Sequence, residues 1–307
     1  MGLIDKWKRR AWRRNDAAIA ALAGTRPAVV VTGGSDGIGL ALAAAFATPD
    51  RTSVLVARGQ PKLARAKERL AAGGSGNTLI LPLDVTTSDA PARLRQFLVE
   101  NDLYADILIN SAGIGTAGDF ADEPEANLEG QTQLNVTALT RLCRAFLPDM
   151  LVRGRGGIVN VASLGGFGPG PYQAAYYASK AYVISLTRAL AHETRGQGVR
   201  IACLAPGPVN TEFHARARGE TALYRHILPA MAPEQVARSA RRGYVLGLGM
   251  IIPGIFNNLL GFALRVLPAK LTTPIVAILL KPRPPTTLSQ RRAVDGPDAR
   301  PNDKPTS

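Results

Sequence analysis

Apolar positions fall into short continuous runs that alternate with longer periodic stretches from residue 28 onward. Residues 28–31, 53–57, 79–81, 107–109, 158–161 and 200–204 are short apolar runs, the pattern of strands buried on both faces. Between them, residues 38–46, 61–71, 91–99, 128–150 and 174–195 read as helices. Past Pro206 the alternation weakens. Residues 232–245 read as a helix with Pro233 near its start, and 249–252 as a last strand stopped by Pro253-Gly254. Two apolar helical stretches follow, at 255–267 and 274–280. From Lys281 onward Pro, Arg, Asp and Thr dominate, so disorder is expected.

Strands that alternate with helices predict an α/β fold. Right-handed crossovers make it a doubly wound parallel sheet of the Rossmann type, here with an apolar helical C-terminal extension. The expected organisation is a basic segment over 1–25, a Rossmann-type catalytic domain over 26–254, the helical extension over 255–280 and a tail over 281–307.

Composition adds to this picture at the ends of the chain. The 307 residues are 46% hydrophobic, enough for one large α/β domain with residues left for tails. Net charge is +14, and Lys6, Lys8, Arg9, Arg10, Arg13, Arg14, Lys281, Arg283, Arg291 and Arg292 crowd the two ends. Such charge is either a solvated surface or attraction to an anionic membrane. Nucleic acid is not an expected partner, because no recognition module accompanies the charge. Residues 245–267 carry one charge, Arg265, but Pro253 and Asn257-Asn258 interrupt them. They therefore read as core-packing or interfacial helices and not as a span.

Cys143 and Cys203 read as small buried hydrophobes without a disulfide framework. His192, His214 and His226 show no metal-ligand spacing, and no metal is implied. Arg13-Arg14 before residues 17–24 faintly resembles a twin-arginine leader, but Asp16 interrupts the flank and the apolar stretch is short. The Met-Gly start lacks the Ser or Thr of a myristoylation signal. The expected location is cytoplasmic, with peripheral membrane contact left open.

The first strand runs into Thr32-Gly33-Gly34-Ser35-Asp36-Gly37-Ile38-Gly39, which opens directly into a helix. A helix start offers free N–H groups and a positive dipole end to an anion, and glycines let the backbone approach a pyrophosphate. A glycine cluster between a first strand and a first helix therefore points to dinucleotide binding. About 20 residues on, an acid would select NAD by binding the ribose hydroxyl. The second strand ends Val56-Ala57-Arg58 instead, and Arg58 suits the 2′-phosphate of NADP(H).

The T-G-x-x-x-G-x-G spacing resembles the short-chain dehydrogenase/reductase family. The resemblance covers roughly residues 26–211. It implies cofactor contacts from Gly33, Ser35, Asp36, Gly37, Ile38 and Gly39, from Asp84 and Val85 beside the adenine, and from Asn110, Ala112 and Gly113 after the fourth strand. Pro206-Gly207-Pro208-Val209-Asn210-Thr211 resembles the family segment beside the nicotinamide, with Pro206, Gly207, Val209 and Thr211 as contacts.

The chemistry is expected at Tyr176 and Lys180, four residues apart and hence on one helix face. A free phenol titrates at about 10, and a nearby ammonium favours its ionised form. Tyr176 is then a general acid for a carbonyl or a general base for an alcohol. Tyr172 and Tyr177 are rivals by type, but neither has a lysine four residues on. In the family pattern, Ser163 holds the substrate oxygen, Asn135 anchors a water in the proton relay, and Tyr176 and Lys180 also touch the cofactor. The segment 232–237 and Ile252-Pro253-Gly254 resemble a subgroup of ketoacyl-reductase-like and hydroxysteroid-dehydrogenase-like enzymes. The resemblance implies an apolar carbonyl or alcohol substrate, and a homo-oligomer built on two long helices. Two other readings are a regulator that binds NADP(H) without turnover and a membrane-surface interaction protein.

Overall fold

The structure is a computed structural model that describes residues 22–74, 76–211 and 229–281. The basic segment up to residue 21 and the tail from residue 282 lie outside the described residues, as do His214 and His226.

Seven strands form one parallel sheet in the order β3-β2-β1-β4-β5-β6-β7. They are β1 (Arg26–Thr32), β2 (Thr52–Ala57), β3 (Thr78–Pro82), β4 (Leu103–Asn110), β5 (Gly156–Val161), β6 (Val199–Leu204) and β7 (Met250–Ile251). Neighbours that pair out of sequence, β1 with β4, mark the switch point where α/β sheets open a crevice for ligands.

The continuous apolar runs follow from covering both faces. Along β1, Ala28 and Val30 enter one core, and Val29 and Val31 the other. The first core takes Leu94 of α3 (Ala90–Glu100), Leu142 and Phe146 of α5 (Leu139–Arg153) and Val183 of α6 (Ala174–Glu193). The second takes Leu42 and Phe46 of α1 (Gly37–Phe46), Leu63 and Leu70 of α2 (Gln60–Ala72), and Val236 and Tyr244 of α7 (Pro233–Val245). Each fully buried side chain of this size stabilises the fold by about 1.5–3 kcal/mol relative to exposure.

The long helix expected over 128–150 is three pieces in one rod. These are α4 (Glu125–Thr132), a widened π segment (Gln133–Ala138) and α5. It ends at Gly154, whose φ of 59° caps the helix in the left-handed conformation.

Beyond the sheet lie α8 (Ile255–Val266) and α9 (Ala269–Leu280). The sequence reading started the last helix at Pro274; instead Pro268 caps it, and Pro274 is carried inside. Both helices pack on the segment after β5. Gly261 of α8 meets Leu164 and Phe167, and the Arg265 guanidinium lies 4.6 Å from the Phe167 ring centroid. Leu280 of α9 is buried with Tyr172 and Tyr177. Among the described residues no helix is long and apolar enough to cross a membrane.

Candidate functional site

Because all strands run parallel, the loops that leave their C-terminal ends gather on one rim. Gly33 follows β1, Arg58 β2, Asp84 β3, Asn110 closes β4, Ser163 follows β5 and Pro206 β6. The sequence motifs, scattered over 180 residues, therefore meet along one edge.

The glycine turn is shaped by crowding. Gly33 has φ 66°, and a Cβ there would lie 2.9 Å from Ala112 Cα, so the loops after β1 and β4 touch backbone to backbone. A Cβ at Gly39 would lie 2.2 Å from the Gly33 carbonyl oxygen, which holds α1 tight against the turn. Asp36 caps α1, its Oδ1 accepting from Gly37 N at 2.7 Å. Thr32 is buried, and its Oγ1 accepts from Ser111 N at 3.1 Å and Ala112 N at 3.2 Å. That hydroxyl fixes the two loops at the switch point. The loop after β6 arrives from the other side, with Thr211 Cγ2 3.1 Å from where a Cβ on Gly37 would stand. Val209 is buried and bridges to Met231, and Pro206 is also buried.

Arg58 is exposed at the end of β2. Its charge reaches Asp84: burial works against that carboxylate, but hydrogen bonds from Thr86 and the Arg58 charge hold it below its ordinary value. Thr86 N and Oγ1 donate to Asp84 Oδ1 at 2.9 and 2.7 Å. The neighbouring Val85 turns into the core on the α3 side.

Asn135 sits in the π segment, whose extra backbone turn carries its side chain to the loop after β4. Its Oδ1 accepts from Ile114 N at 3.0 Å, and its Nδ2 donates to Ile114 O at 2.8 Å. Nδ2 also donates to Ser179 Oγ at 3.1 Å. Gly113 leaves the space between Asn135 and Lys180 open: a Cβ there would lie 3.2 Å from Asn135 Oδ1 and 3.4 Å from Lys180 Nζ.

On α6, Tyr176 is half-buried and Lys180 is 6% exposed. Lys180 Nζ donates to Val161 O at 3.0 Å and lies 5.7 Å from the Tyr176 ring centroid. Burial pulls its pKa down to about 8, with the Cys203 thiol opposing. Ser163, two residues past Val161, caps the turn 164–167 by accepting from Gly165 N at 3.1 Å. The structure thus brings Asn135, Lys180 and Tyr176 together through named contacts and puts Ser163 at the adjoining strand end. The rival Tyr177 faces Gly165 and Gly170 and packs with Leu280, as does Tyr172.

The structure shows what holds the Asn110 side chain. It turns away from the rim into the core, where Nδ2 donates to Asn160 Oδ1 at 2.8 Å and to Cys143 Sγ at 3.4 Å. It is therefore a strut between β4 and β5, and only its backbone remains for a ligand. Asn160, buried in β5, went unnoticed in the sequence; its Nδ2 donates to Thr187 Oγ1 at 3.0 Å, and Thr187 donates to Val183 O. A polar residue inside the apolar run 158–161 was the available signal, because a buried amide must find partners. Cys143 and Cys203 are free and buried beside this chain, and burial pushes their thiols up to about 11 and about 12.

Comparison with known proteins agrees with this geometry. The model of the short chain dehydrogenase family matches residues 27–222, more than half of the chain. A short chain dehydrogenase of Pseudocercospora fijiensis is 38% identical over 190 residues, 61% of this chain and 60% of that protein. The ketoacyl reductase HetN of Nostoc sp. is 37% identical over 186 residues, 61% of this chain and 64% of that protein. The matches thus span less than two thirds of either relative's own length. Among solved structures, a short-chain dehydrogenase from Sphingobium yanoikuyae in complex with NADPH superposes with a TM-score of 0.68 at 28% identity, covering 90% of this chain and 99% of that one. L-sorbose reductase from Gluconobacter frateurii, complexed with NADPH and L-sorbose, gives 0.65 at 26% identity, covering 74% of this chain and 94% of its own.

Proposed function

Because the chain belongs to the short-chain dehydrogenase/reductase family, we propose that it is an NADP(H)-dependent oxidoreductase acting on the carbonyl or alcohol carbon of an apolar small molecule. The observation that carries this reading is the buried Lys180 beside Tyr176 at the end of β5, with Asn135 tied to the same helix.

The rim fits such a cofactor. The bare backbone at Gly33 and Gly39 lets the turn close tightly where side chains would collide, and the α1 N-terminus adds its positive end. Ser35, Asp36, Gly37 and Ile38 would line the pyrophosphate, and Arg58 the 2′-phosphate. Asp84 and the backbone at Val85 would flank the adenine, Ala112 and Gly113 the ribose, and Pro206, Gly207, Val209 and Thr211 the nicotinamide. The structures from Sphingobium yanoikuyae and Gluconobacter frateurii, which bind NADPH, support the choice. When bound, NADP(H) supplies or accepts the hydride.

The remaining steps belong to this chain's own side chains. Ser163 donates its hydroxyl proton in a hydrogen bond to the substrate oxygen. Tyr176 gives that oxygen a proton in reduction and removes one in oxidation. Lys180, when charged, stabilises negative charge that develops on the Tyr176 oxygen, and binds the ribose. Asn135 fixes the Ile114 backbone and, through Ser179, the turn of α6 that carries Tyr176. The turn after Ser163 is itself apolar, with Leu164 and Phe167, and α8 packs on it through Gly261 with Leu264 near Gly168, surroundings that would favour an apolar substrate.

The test is direct. Purified protein is mixed with NADPH and a panel of ketones and 3-ketoacyl thioesters, and nucleotide absorbance is followed. Turnover of an apolar ketone is expected. NADPH binding without turnover of any member would favour a regulatory binding protein instead.

A further inference from the structure

The inner sides of α8 and α9 pack on the catalytic turn, whereas their outer sides are apolar and open. On α8, Ile255, Leu259, Phe262 and Val266 follow the spacing of one helix face, and all are exposed; Ile255 is 84% exposed. On α9, Leu271, Ile275 and Ile278 repeat that spacing and are each at least 60% exposed. The opposite sides are Asn257 and Gly261 on α8, and Thr272 and Leu280 on α9, all buried. Both helices rest on the segment 164–177, and these apolar faces are turned to solvent. Seven large apolar side chains left open on two successive helices mark an interaction site.

Charge selects the partner. From residue 235 to 294 the chain holds nine Lys and Arg and no Asp or Glu. Lys270 and Lys281 sit exposed at the two ends of α9. A two-fold contact with a second copy would bring the same cations face to face. An anionic lipid surface offers hydrocarbon for the seven apolar side chains and phosphate for the cations. Among the described residues neither helix is long enough to span, and α8 gathers its large apolar residues on one face, as do helices lying in the interface plane.

We propose that the outer face of α8 and α9 docks this protein on the surface of an anionic phospholipid bilayer. The docking surface stands independently of the chemistry at Tyr176, and its test needs no turnover. The full chain is floated with vesicles of phosphatidylcholine alone and of phosphatidylcholine mixed with phosphatidylglycerol, at low and high salt. Two variants are compared, Leu259→Ser with Phe262→Ser, and Lys270→Glu with Lys281→Glu; both pairs are exposed, and an unchanged melting temperature verifies the fold. A third arm deletes residues 1–21. Flotation is expected with the anionic vesicles, reduced by high salt, and about tenfold or more weaker in each variant pair. Three results would overturn the proposal. One is no flotation with anionic vesicles. The second is flotation that survives both variant pairs but is lost with residues 1–21. The third is self-association in sedimentation velocity that the Leu259/Phe262 pair abolishes, which would give the face to a second copy.

Discussion

Asn135 Nδ2 donates to Ser179 Oγ at 3.1 Å, and Ser179 Oγ in turn donates to the Tyr176 carbonyl oxygen at 2.7 Å. The π segment and the turn of α6 that carries Tyr176 are therefore one hydrogen-bonded unit. Ser179→Ala removes the link but leaves the phenol in place. We expect kcat to fall several-fold with little change in NADPH affinity, and a stability loss of about 1 kcal/mol. Asn135→Ala should cost more, because the N–H and C=O of Ile114 lose their partners as well. Steady-state kinetics and thermal melts of both variants are the check; equal kcat in wild type and Ser179→Ala would remove Ser179 from any positioning role.

Tyr176→Phe should abolish turnover while NADPH still binds, because in the proposed arrangement the rim loops carry most of the nucleotide contacts and the phenol carries the proton. Lys180→Ala should weaken both, since its Nζ lies at the junction of Val161, Gly113 and the Tyr176 ring. Nucleotide titration by fluorescence beside stopped-flow hydride transfer separates the two roles. Wild-type transfer rates in Tyr176→Phe would place the proton donor elsewhere.

Arg58→Asp should reverse nucleotide preference. A charge-assisted hydrogen bond contributes roughly 1.5–3 kcal/mol, so NADPH affinity should drop tens-fold while NADH gains relative to it. The same change puts a second carboxylate near Asp84, whose charged form the Arg58 guanidinium now helps to hold. Measured dissociation constants for both nucleotides decide the matter, and an unchanged ratio would acquit Arg58 as selector.

The low pKa of Lys180, about 8 against an ordinary 10.5, gives a pH prediction with a definite sign. Its ammonium is lost as pH rises through about 8, so NADPH affinity in the absence of substrate should weaken above that point. For the fold the sign is opposite. Protonated Lys180 is disfavoured by burial, a penalty fully present below pH 8 and gone once pH exceeds the unfolded value of 10.5. Lys180→Met should therefore stabilise the protein near neutral pH and lose that advantage across this window. Melting curves of both proteins over the range test it; a pH-independent difference would mean Lys180 titrates as an ordinary lysine.

Much of the architecture was legible because strands buried on both faces leave continuous apolar runs such as 28–31 and 158–161. The rim could be read because its constraints are local: Gly33 needs its positive φ, and Tyr176 and Lys180 need one helical turn. What escaped was non-local. Asn110 reads as a rim residue from its neighbours, yet its amide is claimed by Asn160, fifty positions away. Nothing in the string 133–138 announces a π segment, because the widening serves a contact with Ile114 that only the fold supplies. Pro274 reads as a helix start because proline favours the first turn, but the helix begins at Ala269 with Pro268 as its N-cap and carries Pro274 inside.

One irregularity in the sheet lies far from this rim. Between β1 and β4 the register slips, so that Ala28 faces Ala105 and Val29 faces Ile107, leaving Asp106 as an extra residue. Freed from the ladder, its carboxylate accepts from Arg51 Nε at 2.9 Å and from Arg155 Nε at 3.1 Å. Arg51 immediately precedes β2 and Arg155 immediately precedes β5. The bulge is thus a clasp across the strand entrances, while the proposed hydride chemistry lies at the strand exits. Such a division lets robustness and specificity be altered separately. Substitutions around Asp106 can harden or loosen the scaffold for a new temperature or salinity, and the exit loops can change their substrate without renegotiating how the sheet is held.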